Sequence, residues 1–355
     1  MKSTEGLPKL PPEAAETVGF FRRDWPSKSW RDLHVAVALS GGGDSMALLR
    51  LMLLEKEENG GIGSIQALHV NHKLRGADSL ADAQWCQQQC ESLGVELRVL
   101  ESNTQERADE DGDGLEAAAR SERYELLAQT AEQLGARYLA FAHTRDDQVE
   151  TILFRLLRGT GLRGLRGIPK LRQLTKAVTV VRPLLACSRE MLEKFLMALG
   201  QSARFDGSNK DFQFTRNRIR HELLPKLREE YNTNVDAALV RLAAQAEATE
   251  NLVEQQARQL LENASVHFSQ GPFPAGSGRC RLAMAFPASS VEEPLIVSTA
   301  IRLAWRDAKL PEKDMTYVGW RHLASLLEVE NHQRVLNMPG DVRASIEQGS
   351  LVLEW

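Results

Sequence analysis

The chain has 355 residues, 43% of them hydrophobic and 26% charged, a balance that suits a globular protein of two or three domains. Its formal net charge of -4 neither supports nor excludes a nucleic-acid partner until the charges are placed along the chain. The four cysteines form no Cys-Xaa-Xaa-Cys pair, the N-terminus has no apolar leader, and no run of about 18 apolar residues could span a bilayer, so reduced thiols, a cytoplasmic location and no membrane contact are expected.

Residues 1–30 are a charged, proline-punctuated N-terminal extension whose role the sequence does not give. Short apolar runs then follow at 34–39, 65–70, 95–100, 137–142 and 177–181. They alternate with stretches at 46–57, 78–93, 115–134, 146–157 and 188–199, in which apolar residues recur at three and four. Strand and helix in alternation predict an α/β fold, a doubly wound parallel sheet with helices on both faces, over 31–215. The acidic, glycine-broken stretch 101–114 reads as a surface loop. A helical linker is expected over 216–264, including a long helix at 235–262. The glycine and proline cluster at 270–278 marks a boundary before a smaller domain, 265–355, with helices at 293–308 and 318–329 and a hairpin at 342–355.

Three motifs sit where strands hand over to helices. Ser40, Gly41, Gly42, Gly43, Asp44 and Ser45 follow the first strand and fit neither a Walker loop nor a dinucleotide fingerprint. The mechanics are nevertheless those of an anion site: glycines allow close backbone approach, and a helix N-terminus offers unpaired N–H groups. Asp44 beside phosphates calls for a bridging Mg²⁺, which makes it the candidate metal ligand; the plain alternative is a helix N-cap. The second motif, residues 68–76, places His69, His72 and Arg75 at the C-terminal edge of the next strand, where capping or nucleotide contacts suit the histidines better than metal ligation. In the third, His143, Asp147 and Glu150 are spaced four and three apart and share one helical face if the helix starts early enough. Two carboxylates there suit an amine, or else simply compensate the helix dipole. No acidic residue occurs between Thr151 and Arg189, a span carrying nine arginines and lysines, and a second basic block occupies 215–228. Such segregation in an acidic chain favours RNA.

The loop resembles that of the N-type ATP pyrophosphatases, whose adenine nucleotide alpha hydrolase-like fold adenylates an oxygen, releases pyrophosphate and lets a nucleophile displace AMP. Residues 115–124, 157–165, 182–185, 214–225 and 336–343 resemble, in order, blocks of the tRNA(Ile)-lysidine synthases. That resemblance implies ATP and Mg²⁺, the isoleucine tRNA with a CAU anticodon, and free L-lysine whose ε-amine attacks C2 of the wobble cytidine. It also implies that Asp147 and Glu150 hold lysine, that His143 is a base or a nucleotide contact, that His72 contacts the nucleotide, and that Arg123, or Arg120, neutralises the adenylate phosphate. Both arginines could instead pair with Glu116 or Glu122. Oligomeric state stays open, a homodimer being one alternative.

Three departures from the family pattern stand out. Phe-Asp-Gly-Ser-Asn at 205–209 replaces an acidic Asp-Pro-Ser-Asn turn, Thr144-Arg145 follows His143 where Ala is common, and the chain ends at Trp355, short of the further C-terminal domain of longer members. The competing readings are a tRNA thiolase, which would need a catalytic cysteine near the loop, a nucleotide-sensing RNA-binding protein without catalysis, and a small-molecule amide synthetase.

Overall fold

The computed structural model describes residues 11–71, 77–102, 115–204, 215–270, 280–287, 293–312, 314–328 and 334–355. It divides into two compact units, one of residues 1–158 and 167–241, the other of 159–166 and 242–355.

The first unit is a six-stranded sheet of β1 (Val35–Ala38), β2 (Ile65–Asn71), β3 (Leu97–Glu101), β4 (Tyr138–Ala140), β5 (Leu171–Gln173) and β6 (Thr179–Val181), in the spatial order β3-β2-β1-β4-β6-β5. Each expected apolar run supplies a parallel strand, shortened at its ends where the chain leaves the ladder. β5 was not expected. Its exposed Leu-Arg-Gln lacks the apolar pattern of a buried strand, and it pairs antiparallel with β6 at the edge, where it stays exposed to water.

Helices cover both faces because β1 is apolar on both. On one side α1 (Pro12–Asp24), α2 (Gly43–Asn59), α3 (Ala77–Ser92) and α7 (Arg189–Ala198) pack around Phe21, Trp25, Trp30, Met46, Leu49 and Phe195. On the other, α4 (Leu115–Gln133) lays Leu127 and Ala131 against Ala36, Leu68, Leu139 and Val180. The N-terminal extension is therefore core material from α1 onward: Phe21 and Trp30 are almost fully buried, Trp25 stacks on Trp30 at 5.1 Å, and Thr17 Oγ1 donates to the Met191 carbonyl. α5 (Arg145–Leu157) follows β4, and α6 (Leu162–Leu165) is a single turn in the second unit. Residues 215–231 form one helical run, α8, with π-type turns at Ile219–Leu223 and Leu227–Tyr231. Pro225 lies inside it; lacking an N–H, it cannot complete the regular ladder, and the Leu224 N–H reaches back to Ile219 O.

The second unit takes most of α9 (Val235–Asn263), then α10 (Pro294–Asp307) and α11 (Tyr317–Ser325), on a five-stranded antiparallel sheet. Its strands are β7 (Ser265–Gln270), β8 (Cys280–Ala285), β9 (Leu336–Met338), β10 (Val342–Glu347) and β11 (Ser350–Glu354), ordered β7-β8-β11-β10-β9. The expected hairpin is β10-β11, turning at Gln348 and Gly349, both at positive φ. Trp305, Leu323, Met284 and Leu353 centre this unit's core.

Candidate active site

Strand order reverses between β1 and β4, since the chain runs from β1 outward to β3 and then returns to the far side of β1. A crevice opens at the carboxyl ends of adjacent strands at such a point. The glycine loop leaves β1 there and the 141–144 loop leaves β4 there.

The loop closes on itself through its serines. Ser45 Oγ donates to Gly42 O at 2.9 Å and accepts from the Ser40 N–H at 3.2 Å, with Ser40 Oγ 3.1 Å away. Gly41 has φ +87°, and a Cβ there would lie 3.0 Å from Cys86 Sγ, so glycine is required by both conformation and space. The N-cap of α2 is Gly42, without a side-chain capping bond, which leaves the first-turn N–H groups to a ligand. Asp44 is therefore no N-cap. It lies in the first turn, 3.4 Å from Arg189 Nε, and its carboxyl is pushed up to about 6. Burial is the main cause, opposed by Arg189 and reinforced by Asp147 and Asp146. His69 sits beneath the loop, its Nδ1–H donating to Leu39 O at 2.9 Å, and burial favours the neutral ring. His72 and Arg75 lie outside the described residues.

Thr144 caps α5 in a reciprocal box. Its Oγ1 accepts from the Asp147 N–H at 3.3 Å, and Asp147 Oδ2 accepts from the Thr144 N–H at 2.8 Å. Capping and cation binding divide Asp147 between them, because Oδ1 faces Arg189 Nη2 at 2.6 Å and Arg216 Nη2 at 3.4 Å. Glu150, one turn on, has a side chain only 3% exposed. Its Oε1 pairs with Arg189 Nη1 at 3.0 Å and Arg220 Nε at 3.7 Å, and Oε2 accepts from Arg216 Nε at 3.1 Å. Burial works to raise the Asp147 carboxyl, but Arg189, the Thr144 N–H, His143 and Arg216 together hold it below the usual range. Arg189 itself is fixed at the start of α7: its N–H donates to Asp146 Oδ2 at 2.9 Å, and Ser188 caps the helix. So Asp44, Asp147 and Glu150, taken from two motifs about a hundred residues apart, meet on one guanidinium.

His143, Arg123 and Arg182 form a second wall. His143 Nδ1, Arg123 Nε and Arg182 Nε are buried without hydrogen-bond partners. Burial, then Arg182, drives the His143 imidazole down to about 3, with Arg120 and Arg123 adding and Asp147 opposing. Tyr124 stacks on Phe141 at 5.1 Å; Arg172 and Arg120 lie over its ring at 4.7 and 5.5 Å, and Arg182 Nη2 approaches its hydroxyl at 3.5 Å. Arg123 is the more enclosed of the two arginines weighed on α4, whereas Arg120 is exposed. Glu122 accepts from Ser102 Oγ at 2.6 Å.

The acid-free run is not one surface. Arg182 and Arg189 turn inward, Arg155 donates to Gly167 O, and Arg158, Lys170, Arg172 and Lys176 remain exposed. Arg189, Arg216 and Arg220, which hold the acids, were legible only as members of basic runs. Nothing in their spacing says which of those charges points inward.

Among the described residues no group of three or more histidine, cysteine, aspartate or glutamate side chains could hold a metal. Burial pushes the thiols of Cys86, Cys90 and Cys187 up to about 12, 11 and 12, so these are apolar packing groups. No helix among the described residues is long and apolar enough to cross a membrane.

Residues 23–227 match the PP-loop domain, an ATP-binding domain. Proteins named tRNA(Ile)-lysidine synthase are similar over much of the chain. The one from Rhodopirellula baltica is 33% identical, covering 94% of this chain and 94% of its own. That from Clostridioides difficile is 28% identical over 90% of this chain and 66% of its own, and that from Bacteroides thetaiotaomicron 40% identical over 59% and 46%. The chain thus spans about half to two thirds of the latter two. The U34-tRNA thiolase of Methanococcus maripaludis shares the fold, with a TM-score of 0.55 at 17% identity, covering 66% of this chain and 79% of that one.

Proposed function

Because this chain belongs to the PP-loop family and, within it, to the tRNA(Ile)-lysidine synthases, we propose that it joins free L-lysine to C2 of the wobble cytidine of an isoleucine tRNA with a CAU anticodon. ATP is consumed to AMP and pyrophosphate. The observation that carries this reading is the meeting of the glycine loop, the cation-filled Asp147–Glu150 pair and the wall of Arg123, Arg182 and His143 at one strand-order reversal.

The cytidine O2 attacks the α-phosphorus and pyrophosphate leaves, held by N–H groups of the Ser40–Ser45 loop and the N-terminus of α2. A Mg²⁺ ion that arrives with the phosphates would fit Asp44, since one carboxylate beside the hydroxyls of Ser40 and Ser45 suits an ion that keeps its other ligands from phosphate and water. When bound, such an ion offsets the charge on the departing pyrophosphate. Arg123 and Arg182, their Nε groups unpartnered, face the negative charge of the adenylate. The ε-ammonium of lysine docks on Asp147 and Glu150, loses a proton and attacks C2, and AMP departs. An imidazole driven down to about 3 is a poor base, so His143 serves better as a nucleotide contact.

The thiolase alternative is weakened by the buried, protonated cysteines. Incubation with labelled lysine, ATP and the CAU-anticodon isoleucine tRNA should place the label in the RNA, one AMP per lysine. Label from a sulfur donor, with none from lysine, would replace this reading. The remaining attributes proposed are a cytoplasmic location, no membrane contact and recognition of the tRNA through exposed basic residues and the second unit.

A further inference from the structure

The carboxylates assigned to lysine already have a partner on every oxygen. Asp147 Oδ2 is committed to the capping box, Asp147 Oδ1 faces Arg189 and Arg216, Glu150 Oε1 faces Arg189 and Arg220, and Glu150 Oε2 takes Arg216 Nε. With Glu150 3% exposed and Arg216 spanning the two carboxylates, an ammonium that is to bridge the same pair has to take the place of an arginine already there.

The three candidates for departure differ. Arg189 is 19% exposed, touches Asp44, Asp147 and Glu150, and is anchored through its own N–H on Asp146. Moving it would break its pairs to three carboxylates at once, one of them with the buried Glu150, a strongly unfavourable change. Arg220 reaches only Oε1, at 3.7 Å, and bridges nothing. Arg216 is 44% exposed and spans Asp147 Oδ1 and Glu150 Oε2, the bridge that a single substrate ammonium on this i, i+3 pair would make. It also sits in the first turn of α8, just ahead of the π-type turn at Ile219–Leu223, where the helical ladder is irregular.

We propose that Arg216 is a built-in occupant of the amine site, bridging Asp147 and Glu150 in the substrate-free protein and swinging out when the lysine ε-ammonium takes its place. This rests on the lysine-binding reading above. In its absence two desolvated carboxylates would face each other with Arg189 as their main compensation; with it, the pair stays neutralised and lysine must compete for entry. Arg216 is thus a positioning and specificity residue, because a cation that offers less than the guanidinium's two charge-assisted bonds does not displace it.

The test is calorimetric lysine binding to the full chain without tRNA, for wild type, Arg216→Gln and Arg216→Lys, alongside the lysine KM in the tRNA reaction. Removing the competitor should tighten lysine binding in Arg216→Gln roughly 5- to 30-fold, with the lysine KM falling in parallel and Arg216→Lys lying between. A purely structural Arg216 would lower thermal stability and leave lysine affinity unchanged, which overturns the proposal. Weaker lysine binding in Arg216→Gln, with Arg216→Lys restoring it, makes Arg216 part of the binding site and also overturns it. Either result with lysine still entering tRNA defeats the displacement alone, whereas a wild type that neither binds lysine nor modifies tRNA defeats the proposed function with it.

Discussion

Replacing Gly41 with alanine tests whether the phosphate loop is held by backbone conformation or by the room around it. At φ +87° an L-residue carries a backbone penalty of about 1–2 kcal/mol. The new Cβ would also sit 3.0 Å from Cys86 Sγ, so the fully buried Cys86 would have to give by a few tenths of an ångström, and such overpacking costs about 1–3 kcal/mol. Together Gly41→Ala should destabilise the protein by about 2–4 kcal/mol, lowering Tm by on the order of 10 °C. A double-mutant cycle separates the two parts, because Cys86→Ala frees the space and leaves φ alone. Denaturant unfolding should show Gly41→Ala costing about 1–2 kcal/mol less in the Cys86→Ala background, with the residue of the penalty remaining. The same variants should lose most of the thermal shift given by ATP with Mg²⁺, since the loop N–H groups can no longer converge. A Gly41→Ala protein within about 0.5 kcal/mol of wild type, or one rescued completely by Cys86→Ala, would refute the conformational argument.

Asp44→Asn should lower lysine incorporation by roughly 100-fold or more while leaving the fold intact, read as initial rate together with circular dichroism. His143 has a folded pKa of about 3, below its unfolded value near 6.5, so the unfolded chain binds the extra proton as pH falls and stability is lost progressively from about pH 6.5 toward 3; His143→Gln should flatten that acid limb in urea titrations. Thr144→Ala removes one side of the capping box and should cost about 0.5–2 kcal/mol in equilibrium unfolding, with a displaced Asp147 raising the lysine KM. Iodoacetamide applied to the native protein should spare Cys86, Cys90 and Cys187, whose thiols are buried, and mass spectrometry should find any modification at Cys280, which is half-buried; loss of activity on labelling Cys86 would reopen the thiolase reading.

The sequence by itself determined the elements whose cause is local. Val35–Ala38 is apolar at every position and so becomes a strand buried on both faces. Gly41, at positive φ, allows the sharp turn into α2, and Thr144 with Asp147 three residues on closes a capping box. Asp44, Asp147 and Glu150 could be singled out for the same reason, since each stands at a strand-to-helix junction. Only the tertiary structure decided what those acids face. Arg189, Arg216 and Arg220 come from two further helices, and a basic run gives no sign of which arginine turns inward when the partner lies dozens of residues away. The same limit hid β5, β7, β8 and β9, which exist because neighbouring strands offer them hydrogen bonds. It hid too the place of Phe21, Trp25 and Trp30 in the core, since a charged, proline-broken stretch acquires its role from the α7 surface it covers. Local chemistry thus set the loop, the caps and the strands, and long-range packing set the cations that fill the site.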